Sequence, residues 1–263
     1  QTVEDVTIIH GGTPENGFIS HRYRGYDESL LMHVLGLGSS TFALPPDCYR
    51  SWQKSFDWRN QYGIEYLHMG SLFIHQLSHC WLDFRGIVDG FMRAKGLDYF
   101  ENSRRAVRVQ QTYAQENPRK FLGYGPHGWG LSASDGPLDS TVAADAKQRT
   151  FHTYWARGVG TDEMNDDGTI VPTAAGGSIA FAPEIVIPTL MSMRASFGEP
   201  LFGKYGFIDA FNPTLRTPGP PLHHGRIVDG VAWFDTDYLG IDQGPIVAMA
   251  ENWRTGMIWR LLK

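Results

Sequence analysis

Cysteine is nearly missing from this 263-residue chain, which holds only Cys48 and Cys80. Two thiols are too few for a disulfide framework, their spacing matches no zinc pattern, and they leave the redox compartment open. Long apolar runs are missing too. No stretch approaches the ~20 residues of a bilayer-spanning helix, and no charged-then-apolar leader opens the chain. Positive charge is sparse and scattered, with 23 Lys and Arg against 28 Asp and Glu and a net charge of -5. Without a basic patch to meet a phosphate backbone, nucleic acid is excluded as a partner. The remaining composition, 42% hydrophobic and 19% charged, is that of an ordinary globular protein, and one domain over residues 1–263 is the simplest reading. Because Gln1 rather than Met stands first, a leader or longer N-terminal portion is expected.

What is abundant is aromatic. Eight Trp and eleven Tyr permit a cleft that stacks sugar rings, although a large core would use them as well. Residues 1–22 read as a polar opening loop. Apolar residues recurring every three to four positions predict helices over 24–37, from Pro45 and Pro46 through Trp52, and over 67–82, 101–116, 183–197 and 245–262. Gly, Ser and Asp dominate 123–145, and 205–221 reads as a long loop; short strands are expected at 150–155 and 169–171. Long helices joined by long polar loops suggest a helical array whose loops carry function.

Several motifs invite chemistry. His75, His79 and Asp83 stand four apart, on one face if the segment is a single helix. Gln76 occupies the place where a zinc protease needs Glu, so a metal is the minority reading; with Arg85, the stripe serves equally as a sugar-cleft wall or a satisfied polar seam. Gly123, Gly125 and Gly128 match a dinucleotide fingerprint by accident, since Pro126 intrudes and no strand precedes them. Ser132 and Ser134 lack a nucleophile elbow, and the acidic turn 162–168 lacks the terminal Glu of a calcium loop, which favours a solvated hairpin. Carboxylates beside glycine and aromatics are more informative: Asp27 and Glu28 at a helix start, and Asp135, Asp209 and Asp242 in loop-like stretches. Asp209, flanked by Ile208 and Ala210, bears a desolvation cost that function would justify. A glycosidase needs one protonated and one ionised carboxyl, and candidates for both are present.

Seven blocks in order, among them RGYDESLLMHVLGL, LFIHQLSHCWLDFRG, YGPHGWGLSASDGP, YGFIDAFN and YLGIDQGPIVAMAENWRTGMIW, give the chain a resemblance to the bacterial endo-β-1,2-glucanases of glycoside hydrolase family 144 and their glucoamylase-named relatives. It is also similar to the cyclising part of cyclic β-1,2-glucan synthases. The resemblance implies an all-α fold, an (α/α)6 toroid of which this chain is the C-terminal half, with short β-hairpins in the cleft loops. It implies hydrolysis of β-1,2-glucan with inversion, with Glu28 as general acid and Asp209 as base, Asp242 in reserve. Asp27 stands where the family usually has Asn. Asp27, His75, His79, Asp83, Arg85, Trp129, Asp135, Asp242, Gln243, Glu251 and Arg254 fall in matching blocks as cleft or supporting residues, Glu251 and Arg254 equally as a structural pair. No cofactor or metal is implied, the partner is a glucan, and the family's habit is periplasmic or secreted. A transglycosylase or exo-glucosidase on the same scaffold, or a non-catalytic glucan-binding module, is the alternative.

Overall fold

The computed structural model describes residues 12–13, 17–18, 23–160, 165–219 and 221–263. Its helices are α1 (Leu30–Leu37), α2 (Pro46–Gln53), α3 (Leu77–Trp81), α4 (Gly90–Lys95), α5 (Tyr99–Glu116), α6 (Pro172–Gly176), α7 (Pro183–Phe197), α8 (Gly240–Arg254) and α9 (Met257–Leu261). The expectation of an all-α chain is corrected: among the described residues helix accounts for 38% and strand for 16%, the strands forming several small antiparallel sheets. The longest hairpins pair Trp58–Gln61 with Ile64–Leu67 and Ser140–Ala144 with Lys147–Phe151. A three-stranded sheet orders Phe211–Asn212, Ala232–Phe234 and Arg226–Val228 around its central strand.

The best-marked helix is α5. The Asp98 carboxylate accepts from Glu101 N at its start, Asn117 ends it in the left-handed conformation at φ 44°, and Ala106, Val107, Gln110, Tyr113 and Ala114 form its buried stripe. Pro46 and Pro183 stand in the first turns of α2 and α7, where the missing N–H leaves no bond unmade. The helix expected over 67–82 is not continuous. Leu67 ends a strand, Leu72–His75 is a 3-10 turn, and α3 occupies only five residues, so His75, His79 and Asp83 do not share one helix. The last helix also differs: α8 starts at Gly240, and the left-handed Gly256 at φ 68° separates it from α9.

Cross-helix hydrogen bonds fix the directions of the central helices. Thr173 Oγ1 at the start of α6 donates to Asp242 O at the start of α8 (2.8 Å), and Gln76 Nε2 just before α3 donates to Ala174 O (2.8 Å). Near the other end of α8, Asn252 Nδ2 donates to Cys80 O of α3 (3.0 Å). Helices α3, α6 and α8 therefore run side by side in one direction. Ser78 Oγ accepts from Leu31 N (3.1 Å) and donates to Glu28 O (3.3 Å), which sets the start of α1 at the same end. The apolar core beneath joins Val107 and Tyr113 of α5 to Ala175, Val186 and Met249.

Candidate functional site

At the end where α3, α6 and α8 begin lies a cavity of about 270 Å³. Phe73, Leu77, Tyr154, Leu239, Ile241 and Pro245 form its apolar walls; Asp135, Asp209 and Asp242 bring three carboxyls, with Gln76, Ser132, Ser134 and Thr173 adding polar groups. The acids come from three separate segments. Asp209 bridges the strands Gly206–Phe207 and Phe211–Asn212, and its N–H donates to Asp237 O (3.1 Å). Asp242 occupies the first turn of α8, where the helix dipole favours negative charge. Asp135 follows the strand Ala133–Ser134, and its backbone N–H donates to Asp209 Oδ2 (2.8 Å).

Arg157 holds this corner together. Its guanidinium is fully buried and pairs with Asp167 (2.8 Å) while donating to the carbonyls of Ser134 (3.0 Å) and Asp135 (3.3 Å). Burial pushes the Asp167 carboxyl upward, but the Arg157 charge and bonds outweigh it and leave the carboxyl below its ordinary range. Asp166 is equally buried and accepts from Tyr113 and Tyr124, each at 2.6 Å. The acidic turn expected to be a solvated hairpin is thus an internal anchor at these two residues; residues 161–164 lie outside the described residues.

Asp209 and Asp242 are 1% and 6% exposed. Among the described residues, Oδ1 of Asp209 and Oδ2 of Asp242 have no hydrogen-bond partner. Burial first, then the facing Asp242 charge, push Asp209 far above the usual carboxylate range; burial pushes Asp242 up less. Two carboxyls this close cannot both ionise freely, so the pair retains a proton where isolated aspartates have lost theirs. Asp235, also buried and raised chiefly by desolvation, faces His224 Nε2 at 2.8 Å. Ligand atoms of Asp135, Asp209 and Asp235, and likewise of Asp135, His224 and Asp237, lie within 4.8 Å of one another, a spacing that would admit a cation.

Other residues singled out in the sequence take different places. Glu28 is half-buried beside Tyr23, whose hydroxyl donates to Oε1 at 3.4 Å; its backbone is tied to Ser78, next to cavity-lining Leu77. Asp27 is buried and bonded by Ser29 and Trp52, and burial pushes its carboxyl up to about 6. His75 and His79 are fully buried, bonded to Met69 O and Ser103 Oγ, and burial lowers each to about 3, so both are neutral seam residues. Trp129 is packed in the core and donates to Thr189 (2.8 Å), and Gln243 donates to Phe207 O (2.6 Å). Asp83, Arg85 and Arg254 line a different groove, with Leu82, Asn252 and Trp259, at the far end of α8. Twelve residues separate Asp242 from Arg254, roughly 18 Å of helix, so these side chains do not meet the acids. Glu251 and Arg254 pair with each other at 2.7 Å.

Tyr154, Asp235, His224 and Arg157 were not singled out from the sequence. Asp235 was legible, since Trp233-Phe234-Asp235 repeats the apolar flank of Asp209. Nothing local distinguishes Arg157.

Residues 20–263 match the protein family described as "Putative glucoamylase". A solved structure from Bacteroides fragilis NCTC 9343 under the same description is 32% identical, with a TM-score of 0.78, over 98% of this chain and 55% of that one. An endo-β-1,2-glucanase from Chitinophaga pinensis, solved with sophorotriose and glucose, is 31% identical, with a TM-score of 0.78, over 98% of this chain and 56% of that one. An exo-β-1,2-glucooligosaccharide sophorohydrolase (non-reducing end) of Parabacteroides distasonis is 25% identical over 277 residues, covering 96% of this chain and 33% of the relative. The chain thus spans about a third of the curated relative and little more than half of the solved ones. The match over nearly its whole length, with the cavity and its acids in that span, makes the chain a member of this glucoamylase-named family.

Proposed function

We propose that the chain carries acid-base machinery of a glycoside hydrolase acting on β-1,2-glucan with inversion. The observation that carries the reading is the convergence of Asp209 and Asp242, from separate segments, on one cavity with apolar walls. Relatives named for β-1,2-glucan hydrolysis support the substrate.

Within that reading Glu28, which precedes α1 and stands outside the lining of that cavity, is the acid that the family resemblance supplies, donating the proton to the departing glycosidic oxygen. The base is the Asp209–Asp242 pair, and the two carboxyls have unequal tasks. Asp209, the more strongly raised, keeps the shared proton; Asp242 carries the charge and draws the proton from the attacking water, directly or through a sugar hydroxyl. Asp242, the reserve candidate in the sequence, thereby becomes the stronger choice.

Replacement separates the roles. Asp242→Asn is expected to lower kcat on linear β-1,2-glucan by about 10³-fold, within the range a general base supplies. Asp209→Asn, which keeps a neutral hydrogen-bond donor, should cost only about tenfold. Glu28→Gln should abolish turnover while binding persists. Reducing-end assays on the three variants decide the matter; an Asp242→Asn enzyme faster than Asp209→Asn would reverse the two roles.

A further inference from the structure

Tyr154 is 68% exposed although it lines the cavity that holds Asp135, Asp209 and Asp242. An aromatic ring turned toward water at a cavity wall contributes little to the fold by burial. The loop that presents it is nevertheless tightly held. Thr153 donates through N and Oγ1 to Asp139 (2.9 and 2.6 Å), the buried Arg157 donates to the carbonyls of His152 (3.2 Å) and Thr153 (3.3 Å), and the His152 ring lies 3.9 Å from that of Trp155. A rigid backbone carrying an exposed ring is what a pre-organised contact surface requires.

The rest of the lining narrows the ligand. Beside Tyr154 stand the apolar Leu239 and Ile241 and three carboxyls, and among the described residues no Lys or Arg lines the cavity. A phosphorylated or acidic ligand would meet only negative charge there. A neutral pyranose offers an apolar C–H face to a ring and hydroxyls to carboxylates, and it satisfies both halves of the lining.

We infer that Tyr154 is a stacking platform for one uncharged pyranose ring of the substrate chain, a binding subsite beside the reacting acids that contributes to affinity rather than to chemistry. The inference rests on the hydrolase reading for the polymer in question.

The test is steady-state kinetics of wild type, Tyr154→Ala and Tyr154→Phe on β-1,2-gluco-oligosaccharides, repeated on β-1,3- and α-1,4-glucans. The expected result is a KM about tenfold higher in Tyr154→Ala with kcat within about twofold, and near wild-type values in Tyr154→Phe, because the ring and not the hydroxyl stacks. An unchanged KM in Tyr154→Ala, or an equal rise in Tyr154→Phe, would overturn the platform. Cleavage of a different glucan with the same dependence on the ring would sink the β-1,2 assignment and uphold the platform. Should no glucan be cleaved, calorimetric titration with the same oligosaccharides decides: binding weakened by Tyr154→Ala supports the platform, and no binding by wild type overturns it.

Discussion

A positive charge with no solvent exposure is stable at position 157 only because every direction offers an acceptor: the Asp167 carboxylate and the carbonyls of Ser134, Asp135, His152 and Thr153. Removing it leaves Asp167 buried with its charge uncompensated. Arg157→Met is therefore expected to lose about 3–5 kcal/mol of stability in urea denaturation; a loss below about 1 kcal/mol would show that the pair is dispensable. Residue by residue, the sequence exposed those acids whose neighbours made ionisation costly. Asp209 between Ile208 and Ala210 is such a case, and it lines the cavity. His75 and His79 show the limit of this logic, since a histidine that lines a cleft and one sealed in a seam have the same neighbours in sequence. Only the packing of His79 against Phe84 and Phe181 tells them apart.

Among the elements, α5 and α7 were legible because proline marks the stop after the first (Pro118) and the first turn of the second (Pro183), whereas the segment around Leu67 was not. Its apolar run suits a strand and a helix alike, and the pairing of Leu67 with Trp58 across a hairpin decides for the strand. Immediately after it the chain passes Gly158 so closely that a Cβ on Gly158 would collide with the Gly70 backbone. That crossing ties the 3-10 turn bearing Phe73 to the loop carrying Arg157. Gly158→Ala should cost about 1–3 kcal/mol through overpacking, while Gly90→Ala, where a Cβ meets nothing within 4 Å, should stay within about 0.5 kcal/mol. Thermal melts of the two variants compare them directly, and equal losses would refute the crossing.

For the molecule as a whole, the all-α expectation failed because short hairpins, invisible to helical periodicity, are part of the architecture and not trimming on its loops. Strands of two to five residues carry too few alternations to register as a period, yet they position Asp135 and Asp209. Global stability should also respond to pH. His75 and His79 have folded values lowered to about 3, so the native state binds fewer protons than the unfolded chain below about pH 6.5, and stability falls as pH drops through that window toward 3. Asp27, raised to about 6, acts oppositely: its contribution is present at low pH and is lost as pH rises through 6. His79→Gln should thus shrink the stability lost between pH 7.5 and pH 5.0 by about 2 kcal/mol relative to wild type, and an unaltered difference in urea titrations would contradict the assignment of His79 as a buried neutral group.

The catalytic account is tested most directly by the anomeric configuration of the first sugar released from linear β-1,2-glucan, followed by proton NMR before mutarotation. Inversion by a base-activated water gives the α-anomer first. Early appearance of the β-anomer, or no release of reducing ends from this glucan, would contradict it.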